Sequence, residues 1–273
     1  MSFRAVAWTV LAAVALAAVL LFNYWAAFQP LSTLVYAGFV LALAGLANLV
    51  VPFRFLGIRR RAVGALVLAG GVALALAALS WPASTVRVAQ PRTLLDEVMP
   101  EYQFFERHST RIHARPEQVM EAVRQSTFGD MKSLVTLLKI RGAVLRTPHR
   151  TEGGLNEKRV LDAFAESGYL SSASEHEIVR FGAWNARVNR RPDVHTPQEF
   201  VDCRERGVVK MAFDFGVEDV GGGWSRISTE TRVVAADDAT RRGMARYWRL
   251  IVPGSGLLRI QWLEGIKNRA ESM

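Results

Sequence analysis

The sequence predicts an α+β protein in two parts: three N-terminal transmembrane helices, then a domain of antiparallel strands closed by a long C-terminal helix. Three observations predict it. Residues 5–80 carry three long apolar runs and no acidic residue. After Trp81 the pattern turns to period-two alternation, strongest over Val208–Val220. The last 36 residues then return to helical spacing.

The apolar runs are Ala5–Phe28, Leu31–Val51 and Ala62–Trp81, each close to the ~20 residues that carry a helix across ~30 Å of hydrocarbon. Only Arg54, Arg59, Arg60 and Arg61 interrupt the stretch, all between the second and third runs. The first run is longer than the apolar core of a signal peptide. It closes in Asn23, Tyr24, Trp25 and Phe28, an interfacial collar without a small-residue cleavage site, so it reads as an uncleaved anchor. Positive charge marks the cytoplasmic side of short loops. The Arg54–Arg61 loop and Arg4 therefore predict a cytoplasmic N-terminus, and three crossings predict an extracytoplasmic C-terminal domain of a multi-pass protein of the cell (inner) membrane. Gly38, Gly45, Gly64, Gly70 and Gly71 give the helices small faces for close packing.

The formal charge is +9, but it divides unevenly. Five of the 34 basic residues lie in the membrane part, leaving 29 against 25 acidic residues beyond it, a net of +4. No dense basic run with interleaved aromatics appears, so nucleic acid is not an expected partner. Cys203 is the single cysteine, which excludes an intrachain disulfide and a cysteine metal cluster.

The organisation reads as a three-helix anchor over 1–81, a juxtamembrane linker over 82–100 with Pro82, Pro91 and Pro100, and one domain over 101–273. Tyr102–Ala114 predicts a strand, with His108, Thr110, Ile112 and Ala114 on one face. Pro116 opens a helix, where its missing N–H costs nothing. A second helix is expected over Gly129–Ile140 and a loop over Arg141–Lys158. Strands are predicted over Tyr169–Ser174, Glu177–Asn185 and Gln198–Arg204. In Val208–Val220 the apolar Val209, Met211, Phe213, Phe215 and Val217 alternate with Lys210, Asp214 and Glu218, one apolar face of an antiparallel strand. Gly221–Gly223 makes the turn and Arg226–Ala235 returns. Asp237 or Asp238 caps the last helix, which is expected to break at Pro253–Gly254 and to be recapped by Ser255.

The segment Ile112-His113-Ala114-Arg115-Pro116-Glu117-Gln118-Val119 resembles the strand-to-helix signature of the START-like (SRPBCC) superfamily, which includes polyketide cyclases, dehydrases and lipid-transport proteins. The last strand, Arg226–Val233, and the Tyr247–Leu257 stretch resemble those of a bacterial membrane-anchored branch. Met120, where many members place Trp, and the expected break at Pro253 depart from the pattern. The resemblance spans about residues 100–271 and implies a helix-grip fold with a cavity for lipids or other apolar ligands. It implies architecture and no particular chemistry.

The expected cavity residues are His108, Thr110, Met211, Phe213, Phe215, Thr229, Thr231, Tyr247, Trp248 and Ile251. The inward hydroxyls of Thr229 and Thr231 suit the polar end of a ligand. No nucleophile elbow, metalloprotease helix, phosphate loop or dinucleotide fingerprint is present, so no catalytic residue, metal or cofactor is expected. Glu175-His176-Glu177 reads as a solvated strand edge, because neighbours on a strand face opposite ways. Asp214 and Glu230 read as solvent-facing, and Cys203 as an unreactive edge-strand residue. The basic residues of the last helix, Arg249 and Arg259 among them, read as solvated above an apolar stripe that packs on the sheet, or as a contact to anionic lipid. The functional expectation is a membrane-anchored domain that binds a lipid or other apolar small molecule without catalysis. A cyclase/dehydrase-type enzyme and an interaction module with a filled core are the alternatives.

Overall fold

A computed structural model describes residues 29–50, 61–145 and 154–273. The first apolar run, the Arg54–Arg60 part of the basic loop and residues 146–153 of the expected Arg141–Lys158 loop lie outside the described residues. The chain divides into two compact units, Met1–Pro82 with Ala245–Pro253, and Ala83–Met244 with Gly254–Met273.

In the first unit, helices α1 (Pro30–Val50) and α2 (Arg61–Ser80) are both long and apolar enough to cross a membrane. They pack through glycine. A Cβ on Gly45 would sit 2.3 Å from the Leu68 nitrogen, and one on Gly71 2.4 Å from that of Ala42. Gly38 and Gly64 are similarly closed, whereas Gly70 faces open space. Four of the five expected small-face glycines thus let the two backbones touch, a contact that side chains would hold apart.

The second unit holds β1 (Val86–Arg87), α3 (Leu94–Val98), β2 (Glu101–Tyr102), β3 (Phe104–Ile112), α4 (Pro116–Gln125), α5 (Leu134–Leu145), α6 (Val160–Glu166), β4 (Leu170–Ala173), β5 (Glu177–Asn185), α7 (Pro197–Asp202), β6 (Val208–Gly221) and β7 (Trp224–Ala235). The final helix, α8 (Asp238–Ala270), runs through both units. Strands β3 to β7 form one antiparallel sheet in the order β3-β7-β6-β5-β4. Gly221, Gly222 and Gly223 all take positive φ in the β6–β7 turn, a conformation open to glycine at no steric cost.

Both faces of this sheet are covered. On the inner face Ile112, Phe213, Phe215 and Ile227 pack with Trp262, Leu263 and Ile266 of α8 and with Val119 and Val123 of α4. The apolar stripe of the C-terminal helix therefore packs on the sheet. On the outer face Val179, Phe181, Ala183 and Ala212 pack under Leu95, Val98, Met99 and Phe200. Four expectations need correction here. The 82–100 segment is not only a linker, because β1 and α3 form within it and α3 covers the outer face. Gln198–Arg204 is helical: Thr196 accepts the Glu199 N–H at 3.2 Å and Pro197 occupies the first turn, the two strongest helix-start devices. The second helix runs on to Leu145. The last helix does not break at Pro253, and Ser255 does not recap it.

Pro253 has no N–H to offer and its ring crowds the carbonyl one turn back. The Tyr36 hydroxyl of α1 donates to the Leu250 carbonyl at 2.5 Å, and the Trp248 indole N–H donates to Gln29 Oε1 at 3.0 Å. The Arg249 guanidinium donates to the carbonyls of Leu79 (2.7 Å) and Trp81 (2.6 Å). The first lies in the last turn of α2 and the second just beyond it, where no intrahelical N–H reaches. Arg249 is 3 % exposed; it caps a helix and is not solvated.

Candidate functional site

The inner face changes character along β3 and β7. At the Ile112–Ile227 end it is apolar. Towards Phe104 it becomes polar, because strand parity puts Glu106, His108 and Thr110 on the face of Ile112, and Thr229 and Thr231 on the face of Ile227. Antiparallel register sets Glu106 opposite Thr231 and His108 opposite Thr229, a spacing of about 5 Å between Cβ atoms. Gly254–Ala270 of α8 contributes Ser255 and Arg259.

Glu106 is 3 % exposed. Its Oε1 accepts the Ser255 hydroxyl at 2.5 Å and lies 3.9 Å from Arg259 Nε. The guanidinium sits 4.6 Å from the centre of the Phe213 ring and 5.3 Å from that of Trp262, an apolar cradle that favours a cation over an aromatic face. Arg259 also donates to Thr229 Oγ1 at 3.4 Å, and that hydroxyl donates to the Asp214 carbonyl at 2.7 Å. Burial pushes the Glu106 carboxyl up, and Arg259 and Ser255 pull it back. Burial, with the neighbouring Arg259, lowers the His108 imidazole to about 4, so it is neutral at pH 7.

Three buried atoms here have no hydrogen-bond partner: Glu106 Oε2, His108 Nε2 and Thr231 Oγ1. Buried polar atoms are nearly always paired, so three orphans on adjacent cross-strand positions mark this end of the face as unfinished. The neighbouring strand β6 is complete on this face, with Phe213 opposite Thr231. Phe213 and Phe215 are fully buried, and the Phe215 and Trp262 rings meet edge-on at 4.6 Å and those of Phe164 and Phe213 at 4.8 Å.

Of the expected cavity residues, His108, Thr110, Phe213, Phe215, Thr229 and Thr231 share the inner face, and half-buried Met211 lies on it by alternation with Phe213. Tyr247, Trp248 and Ile251 fall in the unit of α1 and α2. Thr229 is committed to the Asp214 carbonyl, whereas the buried Thr231 hydroxyl has no hydrogen-bond partner. The residues that sequence reasoning missed are Glu106 and Arg259. Glu106 has the parity of His108, two residues on, and that was the signal available. Nothing in the helical pattern separates Arg259 from its exposed neighbours.

Across the sheet, three expectations are corrected. Asp214 is 8 % exposed, covered by the α3 and α7 layer. Its carboxylate accepts the Glu230 N–H at 2.5 Å. Burial first, then nearby Glu177 and Glu230, pushes its pKa up to about 7. Glu177 is buried too, accepting the Leu94 and Leu95 N–H groups at 2.8 and 3.0 Å. Glu230 pairs with Arg232, which also reaches Asp96 at 2.8 Å and is itself only 6 % exposed, so this is no surface pair. Cys203 follows α7 and is half-buried. Among the described residues no group of three or more His, Cys, Asp or Glu side chains is placed to hold a metal ion.

No family model, curated protein or solved structure matches the chain.

Proposed function

We propose that the second unit is a START-like binding domain, held at a membrane by the apolar helices, which takes a lipid or other amphiphile on its inner face without catalysis. The observation that carries this reading is the orphaned trio of Glu106 Oε2, His108 Nε2 and Thr231 Oγ1. A carboxylate, a neutral imidazole and a hydroxyl at one end of an otherwise apolar face suit the polar group of an amphiphile. Removing its apolar part from water contributes ~25 cal/mol per Å². Glu106 and Arg259 offset each other's charge, so the site favours an uncharged, hydrogen-bonding head. The membrane is the reservoir. In the proposed orientation the basic loop is cytoplasmic and the domain extracytoplasmic. Because α8 is unbroken at Pro253, a hinge there forms no part of the reading.

The test is native mass spectrometry of the full chain released from nanodiscs, wild type beside Glu106→Gln and Thr231→Val. A discrete adduct carried by the wild type and weakened in both variants supports the reading. Equal adduct masses in all three would identify bulk lipid and overturn it. A second reading, an interaction module with a filled core, is favoured by the closed Phe164–Phe213–Phe215–Trp262 cluster. It predicts no adduct, with water on the orphaned atoms. Glu106 and His108 on one face also supply two titratable groups for the cyclase/dehydrase alternative, which predicts an adduct that changes mass on incubation.

A further inference from the structure

Helix α5 is apolar nearly all round, yet the protein covers only part of it. In Leu134-Val135-Thr136-Leu137-Leu138-Lys139-Ile140-Arg141-Gly142-Ala143-Val144-Leu145 three residues are polar. Leu134 and Gly142 are buried and Leu138 packs on the core beside them. On the other side Thr136, Lys139, Ile140 and Ala143 are exposed, Ile140 at 55 %. A helix with apolar residues on every side is normally enclosed by protein or lipid.

Charge says which. From Met131 to Thr151 the chain has five cations, Lys132, Lys139, Arg141, Arg146 and Arg150, and no anion. Asp130, the carboxylate before the run, accepts the Thr127 N–H at 2.8 Å and lies 3.5 Å from Arg269. An exposed apolar helix side in an acid-free basic segment is complementary to the headgroup layer of an anionic bilayer.

We infer that the exposed side of α5 is a contact surface for anionic lipid, with Ile140 entering the acyl boundary and the exposed Lys132 and Lys139 meeting the headgroups. It stands independently of any ligand on the inner face. The test uses the full chain with Cys203→Ser and a single cysteine at Ile140, or in a second preparation at Ala143, carrying an environment-sensitive fluorophore. Each is placed in nanodiscs of phosphatidylglycerol or of phosphatidylcholine. The expected result at both positions is a blue-shifted emission in the anionic discs, quenched by brominated acyl chains. Lys132→Glu with Lys139→Glu, or raised salt, should abolish most of that quenching. Water-like emission without quenching in both lipids would overturn the inference. So would a blue shift that brominated lipid leaves unquenched, which would mean that protein covers the helix.

Discussion

Glu106 and Arg259 have both left water to lie 3.9 Å apart, an arrangement costly to break from one side. Removing one partner of such a pair strands the other, at about 3–5 kcal/mol, whereas replacing both with apolar groups is often near neutral. Glu106→Ala should therefore lower the unfolding midpoint strongly, and Glu106→Leu with Arg259→Met should recover most of the loss, read by intrinsic fluorescence during heating. Equal losses in the single and double variants would mean that the pair is not coupled. Two other residues set opposing pH dependences. His108 titrates near 4 folded and 6.5 unfolded, so its contribution falls as pH drops from 6.5 to 4. Asp214 titrates near 7 folded and 3.8 unfolded; its contribution is full below 3.8 and is lost as pH rises through 7. Relative to wild type, His108→Gln should gain stability towards pH 4 and Asp214→Asn towards pH 7. Midpoints measured from pH 4 to 7.5 check both, and parallel curves would refute the assignment. His108, Thr229 and Thr231 were legible on the inner face because strand parity depends on local sequence alone. Burial of Asp214, Glu177 and Arg232 was not, because it depends on α3 and α7, distant segments that cover the second face.

At the scale of elements, the long strands and their turn were legible from alternation and three consecutive glycines, and Glu177–Asn185 matches residue for residue. Short elements were not. In Gln198–Arg204 seven residues fit either period, and the cap at Thr196 with Pro197 decides for helix. The expected break at Pro253 rested on local cost, about 3 kcal/mol for proline inside a helix. The turn before it is tied down by Tyr36 at Leu250, by Trp248 to Gln29 and by Arg249 to the Leu79 carbonyl, and the helix runs on unbroken. Pro253→Ala should accordingly raise the thermal midpoint; a lowered one would mean that the ring itself is required there. The α1–α2 contact gives a sharper contrast. A side chain at Gly45 or Gly71 meets the backbone of the opposite helix, and one at Gly70 meets nothing. Gly45→Leu and Gly71→Leu should separate the helices and Gly70→Leu should not, as cysteine cross-linking between α1 and α2 would show. Equal cross-linking in all three would rule out the glycine seam.

For the whole molecule, the distribution of charge says more than its total. The net +9 is partly a record of topology, with four arginines between the second and third apolar runs and no acid before Asp96. Arginine is costly to carry across a bilayer, and in the proposed orientation this loop stays on the cytoplasmic side with the chain on either side of it turned outward. If α1 and α2 both cross, as proposed, the residues before Pro30 and after Ser80 lie on one side, whatever the first run does. The first run decides only where the N-terminus lies. Single cysteines at Ser2, Gly57 and Ser272, each in a Cys203→Ser chain, separate these statements under a membrane-impermeant maleimide. Ser272→Cys should label on intact cells, and Gly57→Cys only after permeabilisation. The reverse pattern would invert the proposed orientation, and labelling of both on intact cells would remove the two-span hairpin. Ser2→Cys should follow Gly57→Cys if the first run crosses as an uncleaved anchor. Labelling of Ser2→Cys on intact cells would leave α1 and α2 as the spans, and loss of the residue from the mature chain would make the run a cleaved signal.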